Sequence, residues 1–410
     1  MAHWKAKWFP MIVALFPVTF PLYLFKGTLM GVPLTLVELL LGVIVLLFIF
    51  TERIWEPKWW SRNWSHWKLW PIALFVLAAF ISAFMVQGSL EWLDGNIFEA
   101  QMRALGILKG WILAPLIYFA IARHVFSERP SLVTVSLDAL LCGGMVLAFL
   151  AIQQEASGEF LTADGRASGP FESANYLSLY LGPMVVYGLL QSVQEKVWDF
   201  RRTARLLLTI VVAIGLAFTE SYASWIAVFG TIGLWSLLSF SSIDKKWRRI
   251  ISGSLVAAVL IVIASQLGSD KFTQFFELAE RSSSSVRLEV YEISLKLLTQ
   301  HPIFGLGLGQ FEWFYQTQAV ELLGQEPFEW VMLHPHNIVF AMWLNMGIVG
   351  LIGFIWLCVK ALAWLFEKDK KGRRVAAFML VSILIHGLFD TPYFKNDLAF
   401  QFWLLMAILI

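Results

Sequence analysis

The sequence predicts an all-α integral membrane protein: about twelve transmembrane helices in a single polytopic domain, residues 1–410, with one large external loop containing amphipathic helices. Two observations carry that prediction. The first is composition: 58% of the 410 residues are hydrophobic and 15% charged, with a mean hydropathy of +0.69. Soluble domains lie near half apolar and a quarter charged. The second is the recurrence, along the whole chain, of apolar runs about as long as a bilayer is thick, more than a soluble core can hide. The formal net charge of +2, from 31 basic and 29 acidic residues, gives no sign of a nucleic-acid partner. Cys142 and Cys358 each lie inside an apolar run, so neither a disulfide framework nor a cysteine metal site is expected.

Taken in order, the elements begin with a stretch led by Lys5 and Lys7 that resembles a signal peptide in its charge. Pro10, Pro17 and Pro21 and the lack of a small-residue cleavage site make it an uncleaved first span instead. The spans fall near 9–25, 32–50, 69–87, 105–122, 132–153, 174–191, 206–219, 222–240, 250–266, 336–358, 375–389 and 397–410. An even number puts both termini on one face. The positive-inside rule tests this threading independently of hydropathy. Of the 31 basic residues, 22 fall with the termini, densest at Lys196 to Arg205, Lys245 to Arg249 and Lys360 to Arg374. Nine fall on the other face, and four of those sit in one long loop, where the rule applies weakly. The termini are therefore expected in the cytoplasm, and the acidic residues concentrate outside.

The long connection, residues 267–335 between spans 9 and 10, is external by this count. Within it, Ser282 to Ser285 suit a helix start, and Val286, Val290, Ile293 and Leu297 then recur at helical spacing. Glu292 and Lys296 form an i,i+4 pair. The spacing predicts an amphipathic helix on the outer surface. His301-Pro302 follows, and then Gly305, Gly307 and Gly309 at alternate positions allow a tight backbone path.

The polar residues that invite a chemical reading all map to the outer face. Arg166 to Asn175 ends the connection after span 5, Thr219-Glu220-Ser221-Tyr222 joins spans 7 and 8, and Arg281 and Arg287 lie in the long loop. His334-Pro335-His336-Asn337 opens span 10, and His386 and Asp390 close span 11. Each has a plain structural alternative: arginines at the lipid-headgroup level, a solvated Glu220, a His386 bonded to a neighbouring helix, and Asp390-Thr391-Pro392 as a helix stop. The His-Pro-His-Asn segment is more specific. Pro335 restricts His334 to extended backbone, and His336 or Asn337 stands where the next helix exposes unpaired amides. The positive end of the helix dipole favours an uncharged imidazole there, the form a general base requires. No metal is expected, because His-x-His lacks a third zinc ligand and neither HExxH nor a cysteine lies nearby. No GxSxG elbow accompanies a serine.

In this order the pieces resemble the superfamily of O-antigen ligases and O-antigen polymerases, the envelope glycosyltransferases of bacteria. Arg166 to Asn175 is similar to its glycine-phenylalanine-asparagine segment and Thr219 to Trp225 to its serine-centred segment. Arg287 to Phe311 is similar to the large external loop. His336-Asn337 with Asn345-Met346-Gly347-Ile348-Val349-Gly350 resembles the most recognisable motif, and His386-Gly387-Leu388-Phe389-Asp390 the closing segment. One position departs: many members carry an arginine directly after the serine, and this chain has Tyr222, so that arginine's phosphate-binding role does not carry over. Arg166, Arg281 and Lys271 are the residues available to compensate.

The resemblance implies an enzyme of the bacterial cytoplasmic membrane with an external active site. Its donor is a polyprenyl-diphosphate-linked glycan, and its acceptor a lipid, a glycan or a protein. No cofactor is implied. Diphosphate is a good leaving group that bidentate arginines can stabilise. Arg287 is the first choice for that role and Arg166 the second, with His336 as the base that takes the acceptor proton. Asn175 belongs to the substrate-binding set, Tyr291 and His301 are candidates for positioning, and Asn337 and Asp390 for orienting. Polymerase and ligase share this donor and stay unseparated. A lipid or polysaccharide transporter is the rival from another class, but transporters place ionisable residues near the midplane and often contain repeats. Here only Glu38, Asp138 and His386 are candidates for such a position. A purely structural scaffold leaves the external arginines and histidines without a purpose.

Overall fold

The chain is helical almost throughout in a computed structural model that describes residues 2–29, 32–52, 70–86, 97–162, 164–195, 197–239, 282–367 and 371–410, with Gly253 and Ala264. The expected ninth span at 250–266, Lys271, Arg281 and the first part of the long loop lie outside the described residues. The helices are α1 (Ala2–Leu15), α2 (Leu36–Glu52), α3 (Trp70–Ala83), α4 (Ile97–Ile107), α5 (Ala114–Glu128), α6 (Leu132–Ser157), α7 (Ala174–Gln194), α8 (Phe200–Phe218), α9 (Tyr222–Leu238), α10 (Ser283–Gln300), α11 (Phe311–Leu323), α12 (Ile338–Leu362), α13 (Lys371–His386) and α14 (Asn396–Leu409). Between α1 and α2, strands β1 (Lys26–Leu29) and β2 (Val32–Thr35) pair antiparallel.

Four helical stretches are long and apolar enough to cross a membrane: Ala100–Glu128, Leu132–Ser157, Ala174–Gln194 and Ile338–Phe366. Shorter apolar helices run over Trp8–Leu24, Trp70–Ala83, Tyr222–Leu238 and Asn396–Leu409. An all-α membrane protein is what these elements describe. Of the twelve expected spans, these eight are the ones that appear as apolar helices by length and composition among the described residues.

Several spans are irregular for identifiable reasons. Pro17 and Pro21 withhold backbone donors, and the first span tightens from α into a 3₁₀ segment over Phe16–Leu24. Between α4 and α5 the backbone widens into a π turn, Leu108–Leu113, against which Asn396 sits. The Asn396 amide oxygen accepts from Trp111 Nε1 at 3.0 Å, and its Nδ2 donates to the Gly110 carbonyl at 3.4 Å. α12 packs along α3, α6 along α8, α14 against α5, and α13 against α7 and α9. α14 is buried from Asp397 to Leu409, so it forms the middle of the bundle. A second apolar cluster joins α10 to α11 through Val290, Ile293, Leu297, Phe311 and Tyr315.

The expected surface helix is α10, and its start is as read: Ser282 caps it, accepting from Ser285 N at 3.1 Å while Ser285 Oγ accepts from Ser282 N at 2.7 Å. Its stripe of Val290, Ile293 and Leu297 is covered by protein rather than by a membrane surface, and a second stripe at Leu288 and Leu295 stays exposed. The glycine series after α10 has a structural use. α12 breaks at Gly347, where φ is 67° and ψ −179°, and the loop from His301 to Gln310 fills the break. Leu306 N donates to Leu344 O at 2.6 Å, Ile348 N to Ile303 O at 3.0 Å and Gly309 N to Asn345 Oδ1 at 2.9 Å. The loop thus supplies partners that a continuous helix would have supplied itself.

Candidate active site

The broken helix α12 aims its N-terminus at an open cleft of about 570 Å³. The cleft is lined from four directions: Glu172 to Tyr176 before and within α7, Ser282 to Arg287 on α10, Glu329 to His336 ahead of α12, and Asp390 after α13. Residues more than two hundred positions apart in sequence therefore share one wall.

Asn337 caps α12, its Oδ1 accepting from Val339 N at 2.9 Å and Phe340 N at 3.3 Å. Its Nδ2 donates to Leu388 O at 3.1 Å, and Ile338 N donates to Gly387 O at 2.7 Å, which fastens the start of α12 to the end of α13. The turn just before the cap forces His336 to φ 46°, a left-handed conformation rare for a non-glycine residue. Tyr291 on α10 holds that conformation: its hydroxyl lies 2.9 Å from the His336 carbonyl and 3.0 Å from that of Leu388. Burial raises the Tyr291 phenol above its ordinary range, so it stays a donor.

His336 Nδ1 lies 3.2 Å from Asp390 Oδ1. Burial opposes the charge on Asp390, which is 2% exposed. With His336 protonated, its charge and hydrogen bond outweigh that and hold the carboxyl well below the usual range; with His336 neutral, the hydrogen bond from Nδ1 remains. Thr391 N also donates to the same oxygen at 2.8 Å. An ionised carboxylate only accepts, so Nδ1 carries the proton and Nε2 of a neutral His336 is left with a free lone pair. His334 stands edge-on to His336, ring centroids 4.6 Å apart, and burial lowers its imidazole to about 4. The Tyr176 hydroxyl lies 3.0 Å from His334 Nε2, within hydrogen-bonding distance.

Arg287 reaches the cleft from α10. Its guanidinium makes only long bonds to its own helix, to Ser283 O at 3.4 Å and Ser283 Oγ at 3.5 Å, and pairs with no carboxylate among the described residues. Its remaining donors point to an anionic ligand. Arg166 lies outside the cleft and is already engaged: Nε donates to Asp164 at 2.6 Å, and Nη1 to Asn175 Oδ1 and Thr219 O, each at 3.3 Å. It joins the Asn175 side of the cleft to the turn before Tyr222. His301 is set apart, packed edge-on against Phe314.

Six of the eight residues singled out in the sequence thus meet at the cleft or brace it: His336, Arg287, Asn175, Tyr291, Asn337 and Asp390. Arg166 supports Asn175 from behind, and His301 belongs to the loop that fills the α12 break. The sequence did not single out Glu172, Tyr176 and Glu329. Tyr176 sits in an apolar run without motif spacing, and only its bond to His334 discloses its place. Three donors, His334, His336 and Asp390, lie within 4.8 Å of one another, close enough to be weighed as metal ligands. Two of their ring nitrogens are already committed, Nε2 of His334 to Tyr176 and Nδ1 of His336 to Asp390.

Residues 207–355 match the family described as O-antigen ligase, a segment that includes Arg287, Tyr291, His301, His336 and Asn337. The chain is 27% identical over 202 residues to a putative polysaccharide ligase of Rickettsia conorii, covering 48% of this chain and 46% of the relative. It is 27% identical over 209 residues to one of Rickettsia felis, 50% and 48% of the two chains. An O-antigen ligase of Salmonella typhimurium is 25% identical over 174 residues, 39% of this chain and 41% of the relative. The similarity spans about half the length of these relatives or less. Over these segments the chain is similar to O-antigen ligases and polysaccharide ligases.

Proposed function

We propose that this protein is a glycosyltransferase of the bacterial cytoplasmic membrane that moves a glycan from a polyprenyl-diphosphate carrier to an acceptor hydroxyl at the outer face, in the manner of an O-antigen ligase. The observation that carries the reading is the His336–Asp390 pair beside an unpaired Arg287 in one open cleft. Neutral His336 takes the acceptor hydroxyl's proton on Nε2 while the oxygen attacks the anomeric carbon. The bond from that carbon to the diphosphate oxygen breaks, the leaving diphosphate keeps the electron pair, and Arg287 stabilises its charge. Asp390 holds the tautomer and supports the imidazolium that forms. A single displacement of this kind inverts the anomeric configuration. The chemistry needs no nucleotide sugar and no metal. The polysaccharide-ligase names of the relatives favour a ligase over a repeat-unit polymerase.

The test is transfer by purified protein in lipid vesicles, supplied with a polyprenyl-diphosphate-linked glycan and a lipid acceptor, with EDTA present. Wild type is expected to transfer, and His336→Ala and Arg287→Ala to lose transfer while keeping normal membrane insertion. General-base assistance alone is typically worth about 10²–10⁴-fold. Robust transfer by both variants would sink the assignment, and EDTA-sensitive activity restored by zinc would reassign His334, His336 and Asp390 to a metal site.

A further inference from the structure

Behind the cleft wall lies a half-buried cation that the proposed chemistry does not use. Lys395, just before α14, places its Nζ 3.9 Å from the ring centroid of Phe171, 4.0 Å from that of Tyr176 and 5.6 Å from that of Tyr23. Asp397, two residues on, is 1% exposed and both its carboxylate oxygens lack a hydrogen-bond partner among the described residues. Asp397 offsets part of the ammonium charge without a short ion pair, and the cation faces the three aromatic rings.

Tyr176 faces both ways. One ring face meets the Lys395 ammonium, while its hydroxyl meets His334, which stands edge-on to His336. A cation on the ring makes the phenol a stronger donor, which fixes His334 Nε2 as acceptor. Burial and the neighbouring His336 do most to oppose a positive charge on His334, and the same cation adds to them. That matters because an imidazolium at His334 would repel the proton that His336 must accept. The charged and titratable groups facing Lys395 are Tyr23 and Lys26 from the first span and β1, Glu172 and Tyr176 from the segment before and within α7, and Asp397 from α14.

We propose that Lys395 is a positioning residue of the cleft, its caged ammonium acting through Tyr176 to fix His334 as a neutral hydrogen-bond acceptor beside His336. The inference rests on the glycosyltransfer reading for its purpose, but its test does not. Burial lowers the Lys395 amine to about 8, so the effect belongs to neutral and acidic pH and fades above that range.

The experiment compares wild type, Lys395→Met and Lys395→Arg in detergent, with isotope-labelled histidine. The His334 ring is followed by NMR and assigned with His334→Gln, and monodisperse elution checks folding. Lys395→Met is expected to raise the His334 titration midpoint by about half a unit or more, since losing one nearby charge is worth that at protein-like dielectric. Lys395→Arg should leave it in place. In the transfer assay Lys395→Met should fall below wild type at pH 6, where His334 is neutral in both proteins, because the weaker Tyr176 donor no longer holds its Nε2 as acceptor beside His336. That gap should narrow above pH 8, and the gap between Lys395→Arg and Lys395→Met should not. An unmoved His334 titration in folded Lys395→Met, or equal shifts in both variants, overturns the proposal. A shifted titration in a protein that transfers nothing supports it and counts against the glycosyltransfer reading alone.

Discussion

His336 shows how much the site depends on a single residue's backbone. Its φ of 46° is held by Tyr291 on one side and the Asn337 cap on the other, and conformations of this kind cost on the order of 1–3 kcal/mol. The return is orientation: the ring lies against Asp390 with Nε2 free. Asp390→Asn tests the point, since the amide fits the same space but can either donate to or accept from Nδ1. In a share of molecules the histidine then adopts the other tautomer, with Nε2 protonated and unable to act as base. We expect Asp390→Asn to lower the transfer rate by about 10²–10⁴-fold with donor binding unchanged, read from single-turnover kinetics and from equilibrium binding of the lipid-linked glycan. A rate near wild type would show that the carboxylate has no part in setting the tautomer.

At the scale of elements, the caps were legible and the breaks were not. Ser282 and Asn337 act locally, through side chains that reach amides two or three residues on, so residue type and position announce them. The α12 break has no such local sign. Gly347 lies in an apolar run that reads as unbroken helix, and its conformation is set by a loop about forty residues upstream. Arg287, His336 and Asp390 were legible as charged or titratable groups flanking spans, whereas Tyr176 was hidden because an aromatic in an apolar run reads as packing. His301, a positioning candidate through the resemblance, packs against Phe314 in the loop that fills the break. The loop and the helix have almost no spare room: a Cβ on Gly347 would lie 2.3 Å from Ile303 O, and one on Gly305 2.5 Å from Leu344 O. Gly347→Ala and Gly305→Ala, both at positive φ, should each destabilise by about 2–5 kcal/mol, seen as a lower thermal midpoint in detergent. Gly233→Ala on α9, where nothing lies within 4 Å, should match wild type or exceed it slightly. Equal midpoints for all three would mean that the break does not depend on these glycines.

For the whole molecule, the proposed chemistry requires the cleft and the basic connections to lie on opposite sides of the membrane. The twelve spans expected from the sequence would meet that demand through their parity. α7 starts at the cleft with Asn175 and ends near Glu195, where buried Arg205 bonds both Glu195 and Asp138 at 2.7 Å. That charged cluster ties α6, α7 and α8 together at the end away from the cleft. Basic residues crowd that end, where the positive-inside rule expects the cytoplasm, and the proposed lipid-linked donor would enter at the other. Single-cysteine labelling in spheroplasts can test it, with Cys142 and Cys358 first replaced by serine. Glu326→Cys, exposed beyond α11, should react with a membrane-impermeant maleimide from outside. Val197→Cys, 71% exposed near the Arg205 cluster, should react only after the membrane is opened. The reverse pattern would put His336 and Arg287 in the cytoplasm, out of reach of a donor presented from the outer leaflet.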